Sequence, residues 1–158
     1  MRLFISVVSF SVTFGGIASI ASRETPEDLP LVVDIRADVP QWGPCDMRRI
    51  THFAEGVDPR VVRVTFERES GCNPLALGSM GEIGLGQIRY EVWGKSLREA
   101  GIIRSKEDLW EINTNIRATA WIFTQLTGNT KERFRKYNGA GPKARAYAAR
   151  QMERLKTL

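Results

Sequence analysis

Three groups of polar and glycine residues have the composition of a catalytic site. The first is Glu69, which follows an apolar helical pattern and precedes Ser70 and a glycine. A glycine-rich run ending at Gln87 comes next, and Tyr137 and Asn138 lie further along the chain. A carboxyl group can donate and then accept a proton, while hydroxyl and amide groups can orient a substrate. These residue types therefore favour general acid–base chemistry.

The helix that carries Glu69 must position it. An aspartate N-cap and a proline at the first helical position predict a helix over 58–70, which the next glycine ends. Val62, Phe66 and Glu69 share one face, whereas Glu67 points to nearly the opposite side, towards solvent. The negative helix end and partial burial both raise the pKa of Glu69, as a general acid requires. Taken alone, such a glutamate is usually an exposed surface residue.

The rest of the hydrophobic pattern predicts a mainly α domain. Further helices are expected over 91–100, after a capping box formed by Ser105 and Asp108, over 131–137, and from Pro142 onward. The helix after the capping box is expected to run unbroken through Leu109 and Phe123. Alternating strand patterns are scarce.

As a set, three motifs resemble the catalytic domain of the lytic transglycosylases, lysozyme-like enzymes that cleave peptidoglycan strands: Glu69-Ser70-Gly71-Cys72-Asn73-Pro74, Gly84-Leu85-Gly86-Gln87 and Tyr137-Asn138-Gly139. The resemblance covers about 55–158. It implies a mainly α, lysozyme-like domain over 46–158, with a glycine-rich active-site loop and Glu69 as the catalytic residue. The substrate-binding residues that it implies are Ser70, Gly84, Leu85, Gln87, Tyr137 and Asn138. Asn115 also matches the family and is expected to be structural.

Two positions depart from the family pattern. Gly86 stands where the family has methionine, which predicts a looser cleft floor that could admit water. Glu82 stands where alanine is usual and is expected to change the local charge.

The sequence places no second carboxylate convincingly on the face of Glu69, although ordinary glycosidases use two. The resemblance implies that Glu69 protonates the β-1,4 glycosidic oxygen between N-acetylmuramic acid (MurNAc) and N-acetylglucosamine (GlcNAc). As a base it then deprotonates the muramyl C6 hydroxyl, giving a 1,6-anhydroMurNAc end. Two alternatives remain: lysozyme-type hydrolysis on the same fold, and a non-catalytic peptidoglycan-binding component of an envelope machine or phage particle.

Composition agrees with an acidic polymer as the partner. The 158-residue chain has a net charge of +5 and a pI of about 9.6, and nine cationic residues crowd its C-terminal stretch. They are Lys131, Arg133, Arg135, Lys136, Lys143, Arg145, Arg150, Arg154 and Lys156. Solvated helix faces are the simplest interpretation of this stretch. No familiar nucleic-acid-binding signature is present, so the expected partner is the peptidoglycan glycan strand. Envelope-spanning or phage assemblies are compatible with it.

The N-terminus predicts export. Residues 1–21 have a basic start, an uncharged stretch and small residues before a cleavage position after Ala21. An uncleaved membrane anchor is the alternative. A proline-rich linker follows over 22–45. The expected location is the periplasm, with membrane anchoring by the N-terminal segment or association with a virion as further readings.

Cys45 and Cys72 suit an oxidising compartment. They could form one disulfide, or remain two free thiols. His52 is the only histidine and no cysteine–histidine cluster exists, so neither a metal nor another cofactor is expected.

Overall fold

The computed structural model describes residues 42–158. The predicted signal or anchor segment 1–21 and most of the predicted linker 22–45 lie outside these residues. The described elements are α1 (Met47–Phe53), α2 (Pro59–Glu69), β1 (Glu82–Ile83), β2 (Ile88–Arg89), α3 (Tyr90–Glu99), a 3₁₀ helix (Glu107–Trp110), α4 (Ile112–Gln125), α5 (Thr130–Asn138) and α6 (Gly141–Lys156). The mainly α prediction is confirmed. No helix within the described range is long and apolar enough to cross a membrane.

α4 is the central element, because its sides contribute to all three apolar clusters of the core. The first cluster contains Ile50, Ala54, Val62, Phe66, Leu85, Ile116 and Ala120. The second contains Ile83, Ile88, Leu97, Ile103, Leu109, Ala118 and Ile122. The third contains Val61, Val64, Phe123, Phe134, Tyr147 and Ala148. α2 lies between the first and third clusters, so its two apolar sides hold the end that carries Glu69.

The ends of α2 follow from local chemistry. The Asp58 side chain accepts a hydrogen bond from the Arg60 backbone N–H at 2.9 Å, which satisfies one of the free donors of the first turn. At the other end Gly71 and Cys72 both have positive φ, 60° and 64°. The Cys72 N–H donates to the Phe66 carbonyl at 3.2 Å. This left-handed turn ends the helix immediately after Glu69.

Two predicted elements differ in the structure. The glycine-rich stretch is not only a loop, because Glu82 pairs with Arg89 and Ile83 with Ile88 in a short antiparallel hairpin. The helix expected after Ser105 is also divided. The Asp108 side chain accepts from the Ser105 N–H at 3.1 Å, but Glu111 has extended backbone (ψ 128°) and serves as the N-cap of α4. A second capping residue therefore starts a second helix.

A disulfide joins Cys45 to Cys72, 27 residues apart, with 5.7 Å between their Cα atoms. It links the segment before α1 to the turn that follows Glu69. The last residues of the predicted linker are thus attached to the domain. Further attachments are the Arg63 guanidinium on the Cys45 carbonyl at 2.6 Å and that of Arg49 on the Trp42 carbonyl at 2.6 Å.

Removing this crosslink should destabilise the domain. The Cys45→Ser/Cys72→Ser double variant should lose about 2–4 kcal/mol of unfolding free energy, because the unfolded chain is no longer closed into a loop. Urea denaturation of both proteins under the same non-reducing conditions measures the difference. Adding reductant should bring the wild type to the variant's midpoint. Equal midpoints for variant and oxidised wild type would contradict a stabilising role.

Candidate active site

A groove of about 610 Å³ opens at the end of α2. Its acidic and aromatic lining residues are Glu69 and Tyr147. The remaining lining residues are Arg68, Asn138, Lys143, Ala146 and Arg150. Residues from the end of α2, the end of α5 and the first ten positions of α6 therefore meet around the Glu69 carboxyl group.

The Glu69 carboxyl group is largely removed from water. Its Oε1 atom is buried and has no hydrogen-bond partner among residues 42–158. Burial raises the pKa of Glu69, the nearby Tyr147 hydroxyl and Arg68 charge lower it, and the negative charge of Glu82 raises it again. The net shift is upward, because desolvation disfavours the ionised form more than the neighbours favour it. A carboxyl group in this state can donate a proton near neutral pH.

Tyr147 is a site residue that the sequence analysis did not identify. It lies on α6, where the sequence indicated only a helix from Pro142 onward. Gln151, one turn later, donates from Nε2 to the Tyr147 hydroxyl at 3.4 Å and to the Val64 carbonyl of α2 at 3.0 Å. Burial, followed by the Glu69 charge, raises the pKa of Tyr147, so it remains a neutral phenol. Its contacts with α2 are long-range, since Gln151 and Val64 lie 87 positions apart, and no local sequence signal indicates them.

Tyr137 attaches α5 to the glycine-rich hairpin. Its ring stacks on Phe123 with centroids 4.7 Å apart, and its hydroxyl donates to the Gly86 carbonyl at 2.7 Å. Burial and then the Glu69 charge raise the pKa of Tyr137. The structure thus brings Tyr137 into electrostatic range of Glu69, although its hydroxyl is already bonded within the domain.

Asn115 holds the hairpin against α4. Its Nδ2 donates to the Leu109 carbonyl at 2.7 Å and the Ile83 carbonyl at 3.1 Å, and its Oδ1 accepts from the Gly86 N–H at 2.9 Å. Gly84 has φ 70°, and a Cβ there would overlap the Asn115 amide. Only glycine therefore allows this approach. The structural role expected for Asn115 agrees with these contacts.

Two of the residues predicted to bind substrate have internal roles in the hairpin. Leu85 is completely buried in the first core cluster, so its side chain cannot contact a sugar. Gln87, at φ 49°, donates from Nε2 to the carbonyls of Gly84 at 3.0 Å and Ala76 at 3.1 Å. Both side chains shape the hairpin. The side-chain amide oxygen of Gln87 keeps its capacity to accept a hydrogen bond.

Position 86 is filled despite having no side chain. Gly86 is buried, and a Cβ there would overlap Thr119 Oγ1 and lie 2.9 Å from the Tyr137 hydroxyl oxygen. The expectation of a looser floor at Gly86 is therefore wrong, because Thr119 and Tyr137 occupy the space. Thr119 lies on α4, 33 positions away in the sequence. Nothing in the sequence near Gly86 indicates that Thr119 fills the space of the missing side chain.

Ser70 and Asn138, the residues that follow Glu69 and Tyr137, differ in what they contact. Ser70 donates from its hydroxyl to the Phe66 carbonyl at 3.1 Å, which completes the last turn of α2. Asn138 lines the groove with an exposed side chain and is the predicted polar contact that remains open to a ligand.

The neighbouring glutamate has a different environment. Glu67 does not simply face solvent as predicted, because it binds Arg63 at 2.8 Å and Arg154 of α6 at 2.8 Å. Hydrogen bonds from Arg154 and then Arg63 lower its pKa. The pKa values of two glutamates two residues apart are therefore shifted in opposite directions, and the difference comes from α6 as much as from α2.

The family model for the transglycosylase SLT domain matches the sequence over residues 49–156, about two thirds of the chain. The chain belongs to this family. It therefore contains a lytic transglycosylase catalytic domain of the lysozyme-like superfamily, and membership implies peptidoglycan as the substrate. No curated protein and no solved structure matches the sequence.

Within this SLT domain, Glu82 is the carboxylate whose negative charge influences the pKa of Glu69. It comes from the hairpin rather than from the face of α2, and its Oε2 accepts from the Met80 N–H at 2.9 Å. A changed local charge at position 82 was expected from the sequence. The negative charge of Glu82 contributes to the upward pKa shift of Glu69.

The electrostatic neighbours of Glu69 predict opposite shifts of the pH profile. If Glu69 must be protonated to act, kcat/KM falls as pH rises through its pKa. Glu82→Gln removes a charge that raises this pKa, so the alkaline limb should move to lower pH. Tyr147→Phe removes a hydroxyl that lowers it, so the limb should move to higher pH. Glu67→Gln is the control and should leave the limb in place. Shifts of the same sign in the first two variants would refute this assignment.

Proposed function

We propose that this chain is a peptidoglycan lytic transglycosylase, a carbon–oxygen lyase that cleaves the MurNAc–GlcNAc β-1,4 bond. Glu69 acts first as the acid and then as the base, and the product is a 1,6-anhydroMurNAc end. The observation that carries this proposal is the buried, unpartnered Oε1 of Glu69 at a groove of an SLT domain. A buried polar atom without a partner is costly in a purely structural role.

The titratable groups around the groove support a single acid–base residue. Among the described lining residues, Glu69 is the only one with a carboxyl group, and the two tyrosines near it have raised pKa values and stay protonated. A protonated Glu69 gives its proton to the glycosidic oxygen, and the resulting carboxylate takes the proton of the C6 hydroxyl. The Tyr147 hydroxyl favours the ionised form of Glu69, which helps the first half of this cycle.

Substrate chemistry completes the mechanism. The acetamido group of MurNAc can assist departure of the leaving sugar, and the C6 hydroxyl of the same residue is an intramolecular nucleophile. Its effective concentration is high because it is already held in the groove. We propose that the exposed Asn138 contributes to holding the sugar, together with the Gln87 carbonyl oxygen and the backbone of the hairpin.

Hydrolysis is the second candidate, and Glu82 is the observation that favours it. A hydrolase on this fold needs a second carboxylate to activate water. Glu82 lies within electrostatic range of Glu69, but one of its oxygens is bonded to the Met80 N–H. We favour the transglycosylase because this bond fixes Glu82 to its own turn.

Export is the corresponding proposal for location. Peptidoglycan lies outside the cytoplasmic membrane, and a structural disulfide is typical of oxidising compartments. The Cys45–Cys72 crosslink therefore supports a site of action in the periplasm.

The catalytic assignment predicts a contrast between two adjacent glutamates. Glu69→Gln should lower turnover of purified peptidoglycan by about 10²–10⁴-fold, because the amide cannot donate the proton. Glu67→Gln makes the same chemical change two residues away and should keep activity while losing some stability, since Glu67 joins α2 to α6. Muropeptide release measures the first effect and thermal unfolding the second. Comparable activity in Glu69→Gln would remove Glu69 from the mechanism.

Digestion in heavy-oxygen water separates the two candidate reactions. Transglycosylation adds no water, so the new muramyl end should be unlabelled and lighter by one water than the hydrolysis product. Mass spectrometry of the products gives both results at once. If the label is the major outcome and disappears in Glu82→Gln, the protein is a hydrolase with Glu82 as the base.

A further inference from the structure

The groove beside Glu69 carries an excess of positive charge. Arg68, Lys143 and Arg150 line it, and none of them forms an ion pair or a side-chain hydrogen bond within residues 42–158. Nearby cations are different, because Arg63 and Arg154 share an ion pair with Glu67. Burial raises the pKa of Glu69, the one acid in this lining. Three cations without an ion pair in the described range therefore line the groove.

Helix geometry places two of these cations beside the catalytic centre. Lys143, Tyr147 and Arg150 follow each other at spacings of four and three residues, so they share one face of α6. Both cations are exposed, while Tyr147 between them is buried against the core. A strand that passes Glu69 and Tyr147 would thus lie between two positive charges about 10 Å apart along the helix axis.

We propose that Lys143 and Arg150 bind the carboxylates that muramyl residues carry, and that this contact makes the groove selective for anionic strands. The inference rests on the proposed function and names the part of the substrate that α6 recognises. The sugar rings themselves are neutral. The carboxylates belong to the stem peptides, or to the lactyl group where the peptide has been removed. A strand whose carboxylates are converted to amides should therefore bind less well.

Charge removal tests this inference. Neither Lys143 nor Arg150 is among the groups that shift the pKa of Glu69, so their loss should act on binding and leave the pH profile unchanged. The Lys143→Gln/Arg150→Gln double variant should raise KM by about tenfold on native peptidoglycan strands with little change in kcat, since each exposed charge contributes at most about fivefold. The effect should weaken as salt is added.

Modified substrates and a matched control make the test specific. Amidated strands should be poor substrates for the wild type by a similar factor, and the double variant should no longer distinguish them from native strands. Arg135→Gln/Arg145→Gln removes the same charge from a separate cavity on α5 and α6 and should behave as wild type. Peptide-free strands identify the source. A loss equal to that caused by amidation assigns the contact to the carboxylates of the stem peptide, and no loss means that the lactyl carboxylate exposed by peptide removal is bound equally well.

Binding measurements keep the inference separate from the catalytic proposal. The fraction of the Glu69→Gln variant retained on insoluble peptidoglycan can be compared between native and amidated polymer. This measurement needs no turnover. Weaker retention on the amidated polymer supports the carboxylate contact even if the chain proves inactive. Equal cleavage and equal retention of native and amidated material would overturn the inference while leaving the wild-type activity intact. An equal loss in the control variant would also overturn it, because it would indicate only general attraction to an anionic polymer.

Discussion

The desolvation of the Glu69 carboxyl group is the constraint on which the site depends. Its Oε1 is buried and has no hydrogen-bond partner within residues 42–158, at the end of a helix that already disfavours negative charge. A domain tolerates such an atom only if rigid packing holds it in place. The two apolar sides of α2, the left-handed turn at Gly71 and the Cys45–Cys72 crosslink all act at or next to this one residue. Much of the local architecture can therefore be understood as support for a carboxyl group in an unfavourable place.

The same constraint explains why α6 belongs to the site. Gln151 bonds the Val64 carbonyl of α2 and the Tyr147 hydroxyl, and Arg154 binds Glu67. These contacts attach α6 to both sides of the helix that carries Glu69. One side places the Tyr147 hydroxyl near the Glu69 carboxyl group, and the other lowers the pKa of Glu67. The opposite pKa shifts of Glu67 and Glu69 thus depend on tertiary contacts.

Local chemistry made much of the fold predictable. The N-cap at Asp58, the positive-φ stop after α2 and the proline at the start of α6 each act within a few residues, so their signals lie in short stretches of sequence. The position of Glu69 at the edge of an apolar face was also predictable from helical spacing. Tyr147, the pairing of Glu67 and the division before α4 were missed. Tyr147 and the pairing of Glu67 depend on contacts between residues about 80 positions apart. The division before α4 depends on Glu111, which has extended backbone and serves as an N-cap where an internal helical residue was expected.

The substitution at position 86 illustrates how a motif can change while the surface it forms is preserved. Judged from the motif alone, glycine in place of a large side chain leaves a hole in the cleft floor. In the folded chain, Thr119 of α4 and the Tyr137 hydroxyl fill that space, and the Gly86 backbone is bonded at both ends, through its N–H to Asn115 and through its carbonyl to Tyr137. Because close packing is a property of the assembled core rather than of one position, a small residue at the motif is compensated from α4. The argument for water entry through this position therefore fails, and Glu82, whose charge acts on Glu69, is the feature on which the choice between water and the C6 hydroxyl depends.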